Sequence, residues 1–107
     1  MAEGFMWVAA DGSEVVGTLG ALARGPDLYL RGMAVLPAVR GCGVGRRLLA
    51  HAEAAAWLGG HSRIALSTTP FLTRAIELYE RSGYVRCEEP PYDLNGTPLV
   101  SMVKVLP

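Results

Sequence analysis

Apolar positions fall into short runs near the start of the chain and into helical stripes further along. Phe5 to Ala10 is a short apolar run, and Asp11-Gly12 behind it is a hairpin signal. Glu14 to Arg24 carries Val15, Val16, Thr18, Leu19 and Leu22, with Gly17 and Gly20 suited to a bulge or a close backbone approach. Arg24-Gly25-Pro26-Asp27 marks a second turn, and Leu28 to Leu36 is a third strand that Pro37 stops. The first third therefore reads as an antiparallel meander. Val44, Leu48, Leu49, Ala52, Ala55 and Ala56 recur at helical spacing, which predicts a helix over Val44–Leu58 ended by Gly59-Gly60. Arg63 to Thr69 is the next strand, expected to lie parallel to the third because a helix carries the crossover.

A second helix follows, with Thr69 as its cap, Pro70 at its first position and Gly83 at its end. Leu72, Ala75, Ile76 and Tyr79 form its apolar stripe, and Glu77 and Arg81 are spaced for an ion pair on the other side. Tyr84 to Glu88 and Leu99 to Leu106 are closing strands, separated by a loop with Pro90-Pro91 and Asn95-Gly96. The sum is a mixed α/β sheet with one parallel step in its middle. Where the two parallel strands splay, the strand before the crossover offers backbone groups that a ligand can pair with. No predicted element is assigned to cover one face of the meander. Phe5, Met6, Trp7, Val8, Val15, Val16, Leu19 and Leu22 must serve both faces, and this predicts a homodimer that buries the surplus.

Composition narrows the class. A chain of 107 residues is one small domain over 1–107, and with half its residues hydrophobic and 19% charged it can bury a core. The formal net charge is zero, so no global field favours nucleic acid or an anionic membrane. No apolar run reaches the ~20 residues of a membrane span, and the N-terminus lacks a basic region of the kind that opens a signal peptide. Neither Cys42 nor Cys87 has a second ligand at metal spacing, so no metal is expected, and the simple setting is reducing and cytoplasmic.

The chemistry concentrates between the third strand and the first helix. Gly41, Gly43 and Gly45 lie there with Arg40, Arg46 and Arg47, and a glycine loop leading into a helix start is an anion site. The alternative is a glycine-rich turn before an ordinary helix. The P-loop needs Lys-Ser/Thr where Arg46-Arg47 stand, and the dinucleotide fingerprint needs another glycine spacing. Arg40, Gly43 and Gly45 instead match R-x-x-G-x-G, which resembles the pyrophosphate loop of the GNAT superfamily of acetyl-CoA-dependent N-acetyltransferases. Ala75-Ile76-Glu77-Leu78-Tyr79-Glu80-Arg81-Ser82-Gly83-Tyr84 is similar to that family's A-x-x-L-Y-E-[KR]-x-G-[FY] pattern, and Met102-Val103-Lys104-Val105-Leu106 to the close of its last strand.

The resemblance covers roughly Val15 to Leu106. It implies a GNAT-like acyl-CoA N-acyltransferase fold that lacks the first strand and two helices, which normally wall the acceptor side. It implies that Arg40, Gly41, Cys42, Gly43, Val44, Gly45 and Arg46 hold the diphosphate of acetyl-CoA, with pantetheine beside Met33, Ala34 and Val35. One N–H of that strand would polarise the thioester carbonyl. Tyr79 would protonate the departing thiolate, whereas spacing alone favours a core aromatic there. Leu72 stands where the family often has an asparagine. Cys42 has no nucleophilic role in a diphosphate loop.

No general base is evident. Glu88, Glu89, Asp93, His51 and His61 qualify only by residue type, and Arg31, if it faces the cleft, hints at an acidic group on the acceptor. The resemblance implies acetyl transfer to a primary amine of a small molecule or peptide by direct attack in a ternary complex. The competing reading is a minimal CoA-binding module with weak or no catalysis, completed by a partner or second subunit.

Overall fold

The structure is a computed structural model that describes residues 4–87, 93–94 and 97–107. Strands β1 (Gly4–Asp11), β2 (Glu14–Arg24) and β3 (Asp27–Val35) form the meander, and a short 3-10 turn over Pro37–Val39 leads towards helix α1 (Val44–Leu58). Strand β4 (Arg63–Thr68), helix α2 (Thr73–Arg81), strand β5 (Val85–Arg86), a small hairpin of β6 (Asp93–Leu94) with β7 (Thr97–Pro98), and strand β8 (Val100–Val105) complete the order. The main sheet runs β1-β2-β3-β4-β8-β5. Its parallel step is β3 with β4, as the intervening helix requires. The turn between β1 and β2 centres on Gly12-Ser13, one residue beyond the sequence signal, because Asp11 pairs with Glu14.

Cross-strand register sorts the two faces of the sheet. Ala21, Leu30, Leu66 and Met102 are successive partners on one face, and they pack with Leu48, Leu49, Ala52 and Ala56 of α1 and Ile76 and Tyr79 of α2. The next row, Leu22, Tyr29, Ala65 and Val103, lies on the opposite face. Among the described residues neither helix covers that second face. Met6 and Val8, at 63% and 57% exposure, lie on it, whereas Trp7 and Leu19 pack with the helices.

Helix α2 departs from the sequence expectation. Its N-cap is Leu72, without a side-chain cap, rather than Thr69. The Thr69 carbonyl accepts from the Leu72 N–H at 3.2 Å, so Pro70 and Phe71 form a turn and the helix opens at Thr73. The Glu77–Arg81 ion pair is also absent, since Arg81 Nε donates to the Glu77 backbone carbonyl at 3.4 Å instead. Away from these points a polar knot fastens α1 to β8. Lys104 Nζ donates to Glu53 Oε1 and to the Ser82 carbonyl, both at 2.8 Å, and the Tyr84 hydroxyl donates to Glu53 Oε2 at 3.3 Å.

Candidate active site

The cleft is made by strands that part. Pairing between β3 and β4 ends at Leu30 with Leu66, so Arg31 to Val35 have no strand partner on the β4 side among the described residues. Just beyond the split, Thr18 pairs with Ala34 but Gly20 pairs with Arg31, leaving Leu19 opposite two residues of β3. This is a bulge, and Gly32 occupies it at φ +70°, a left-handed conformation that glycine adopts without strain. The Leu36 N–H is bonded to the Val16 carbonyl at 2.9 Å. By strand alternation Ala34 also turns its backbone to β2, so Met33 and Val35 direct theirs into the cleft.

The glycine loop closes one end of the cleft. Gly41 and Gly43 have φ of +84° and +82°, and Gly43 is the N-cap of α1 without any side-chain cap. The first helical bond is Arg47 N–H to the Gly43 carbonyl at 3.0 Å. The N–H groups of Gly43, Val44, Gly45 and Arg46 therefore meet no acceptor among the described residues. Gly45 serves a different need: a Cβ there would lie 3.0 Å from Leu78 and 3.6 Å from the Met33 sulfur. Its small size lets the helix start sit against α2 and the bulged strand together. Arg40, Arg46, Arg47 and Cys42 are exposed around this cradle, and Val44 is half-buried.

Tyr79 completes the assembly. Its ring is buried to 7% exposure, and its hydroxyl lies 4.0 Å from the sulfur of Met33, on the strand that lines the cleft. Burial raises its pKa above the usual tyrosine value, so it holds its proton at neutral pH. The Tyr84 ring packs edge-on at 6.0 Å between centroids. Tyr84 is pushed further up by burial, then by the charge and hydrogen bond of Glu53 and by Tyr79.

The structure thus brings the loop, Met33, Val35 and Tyr79 to one cleft, while Ala34 borders it with its backbone turned away. Of the residues considered as a base, neither histidine joins them. His51 is exposed on α1 and His61 sits half-buried in the turn after it. Glu88 and Glu89 lie outside the described residues, and of Asp93 only the strand position is described. Leu72 is exposed at the start of α2. One pair escaped sequence reasoning, Ser67 and Ser101, whose hydroxyl oxygens are 3.5 Å apart on the uncovered face. No local signal links residues so far apart in the chain.

A family model described as an acetyltransferase (GNAT) domain matches residues 2–86. The chain belongs to the GNAT acetyltransferase superfamily. It is 40% identical over 82 residues to the uncharacterised N-acetyltransferase YjgM of Escherichia coli (strain K12), covering 73% of this chain and 49% of that protein. The chain therefore spans about half the length of that curated relative. Among solved structures, nourseothricin acetyltransferase aligns at a TM-score of 0.88 and 26% identity, over 97% of this chain and 66% of that one. The IAA acetyltransferase from Bacillus cereus ATCC 14579 shares the fold at a TM-score of 0.84 and 24% identity, over 96% of this chain and 78% of that one. The family uses acetyl-CoA. Unpaired N–H groups at a helix start and a free strand edge fit its diphosphate and its amide-bearing arm.

Proposed function

We propose that this chain transfers the acetyl group of acetyl-CoA to a primary amine of a small molecule or peptide, by direct attack in a ternary complex. The observation that carries this reading is one cleft shared by the unpaired loop N–H groups, the unpaired backbone of Met33 and Val35, and the buried Tyr79 hydroxyl. The loop N–H groups bind the diphosphate, and Arg40 and Arg46 fork onto its oxygens. An N–H of Met33 or Val35 donates to the thioester oxygen, where negative charge develops during attack. The amine nitrogen forms a bond to the acetyl carbon, and the carbon–sulfur bond breaks. Tyr79 gives its proton to the leaving sulfur and regains one shed by the nitrogen through water, so the step is proton-neutral. Two free thiols, Cys42 and Cys87, suit a reducing compartment such as the cytoplasm. No helix among the described residues is long and apolar enough to cross a membrane.

The second reading, a CoA-binding module completed by another subunit, is favoured by the uncovered sheet face with Met6 and Val8 exposed on it. A homodimer built on these positions would cover them by two-fold symmetry and wall the acceptor side. Thermal melting with CoA, and with a CoA analogue lacking the diphosphate, tests the shared premise. CoA is expected to raise Tm and the analogue to do much less; equal shifts would remove the loop from the argument. Thiol release from acetyl-CoA across an amine panel then separates enzyme from module. Light scattering decides the dimer, since a monodisperse mass near 11.4 kDa excludes it.

A further inference from the structure

The uncovered sheet face changes character along its width. Over β1 it carries Met6 and Val8, but over β3, β4 and β8 it becomes a pocket with a charged rim and a hydroxyl floor. Arg24 stands at the rim, with its guanidinium carbon 4.1 Å from the centre of the Tyr29 ring. That stacking holds the planar group by its face and leaves its N–H edges available. The nearby carboxylate of Asp27 is engaged elsewhere: Arg63 Nε and Nη2 hold its two oxygens at 2.9 and 2.8 Å. Among the described residues Arg24 has no carboxylate partner.

The middle of the pocket is apolar and its far end is polar. Ala65 and Val103 face each other across β4 and β8, each at 8% exposure. The next pair on the same face is Ser67 and Ser101, whose hydroxyls touch only each other among the described residues. Each hydroxyl keeps hydrogen-bonding capacity that a ligand can use. Ser67 is also the first β4 residue past Leu66, where β3 separates, so it stands at the mouth of the cleft. Tyr29 pairs with Ala65 on the neighbouring strand, and Ser67 lies two residues further along β4, so strand spacing and rise together put about 8 Å between Tyr29, on which Arg24 stacks, and Ser67.

We propose that this pocket holds an acceptor with a carboxylate about 8 Å from its reacting primary amine, the chemistry of an ω-amino carboxylic acid with roughly five methylenes between the two groups. Arg24 forks onto the carboxylate, the alkyl stem lies against Tyr29, Ala65 and Val103, and the amine reaches Ser67 at the cleft. Arg31 has no part in this, since it lines a separate groove with Met6 and Gly20. The inference rests on the uncovered face being the acceptor side of the acetyltransferase reading.

The test is calorimetric titration of the full chain, saturated with CoA, with 6-aminohexanoate and with hexylamine, which lacks the carboxylate. 6-Aminohexanoate is expected to bind at least ten times more tightly. Arg24→Gln removes that preference, Arg24→Lys keeps part of it because the charge remains without the fork, and Tyr29→Leu reduces it by removing the stacking ring. Equal binding of the two compounds to the wild type, or an undiminished preference in folded Arg24→Gln, overturns the proposal. The readout is binding, so a chain that binds CoA but transfers nothing still reports on the pocket. If CoA itself fails to bind, the acetyltransferase reading fails, and titration without CoA still shows the preference or its absence.

Discussion

Replacing Gly43 by alanine separates what the glycine loop does for the fold from what it does for a ligand. Gly43 has φ +82°, and an L-residue held in the left-handed region costs roughly 1–2 kcal/mol. Nothing else opposes the new methyl, since its nearest neighbour is Arg46 Nη2 at 3.9 Å. For a domain of this size each kcal/mol lowers Tm by about 4–8 °C, so a fall of about 4–16 °C is expected. Gly41 provides the matched control, with φ +84° and open space where a Cβ would stand. Gly41→Ala should lose about the same stability for the same backbone reason. The two variants should differ towards CoA. The Gly43 methyl lies beside Arg46 and the first free N–H groups of α1, and one lost charge-assisted hydrogen bond costs about 1.5–3 kcal/mol. Titration calorimetry on folded protein should therefore show affinity weakened by roughly ten- to a hundredfold in Gly43→Ala and by less in Gly41→Ala, whose methyl points into open space and not towards Arg46. If both variants lose the same stability and both bind CoA like the wild type, the loop is a turn and not a cradle.

Tyr79→Phe should leave CoA affinity unchanged and lower turnover roughly a hundredfold or more, because it deletes only the proposed proton donor. Unchanged single-turnover rates, with chemistry limiting, would make Tyr79 a packing residue. Stability should also decline at high pH. Tyr79 and Tyr84 hold their protons above the ordinary value of 10.0 when folded, whereas the unfolded chain releases them there. The contribution is thus complete below pH 10.0 and is lost as pH rises through the native values. Tyr84→Phe should flatten the fall of Tm above that pH, and an unaltered slope would contradict the assignment.

Local signals carried much of this architecture. The span of α1 follows from its apolar stripe with Gly59 beyond it, and β2 from its run between two turns, so both have the expected limits. The start of α2 was misread because Thr69 and Pro70 suit a helix N-terminus, yet the same residues close a turn when the Leu72 N–H bonds back. Gly17 and Gly20 left bulge and close approach open, and only the structure sorts them: a Cβ at Gly17 would lie 2.8 Å from Val44, whereas Gly20 flanks the bulge where Leu19 faces two residues. The loop and Tyr79 were legible because their motifs are contiguous. The pocket was not, because Arg24, Tyr29, Ser67 and Ser101 meet only through register between distant strands.

The order of the sheet also dictates when the protein can become whole. Strand β8 is inserted between β4 and β5, and among the described residues it is the only strand that β5 pairs with. It also carries Met102, fully buried in the core, and Lys104, which anchors Glu53 of α1. A nascent chain that has emerged as far as Arg86 therefore exposes one flank of β4 and an orphan β5, with their hydrogen-bonding edges bare. Non-local pairing of this kind is slow and leaves intermediates prone to aggregate. The meander and α1 can form early, but commitment waits for β8 to thread into the interior of the sheet. Truncations before Val100 should accumulate as insoluble protein, not as a smaller folded domain.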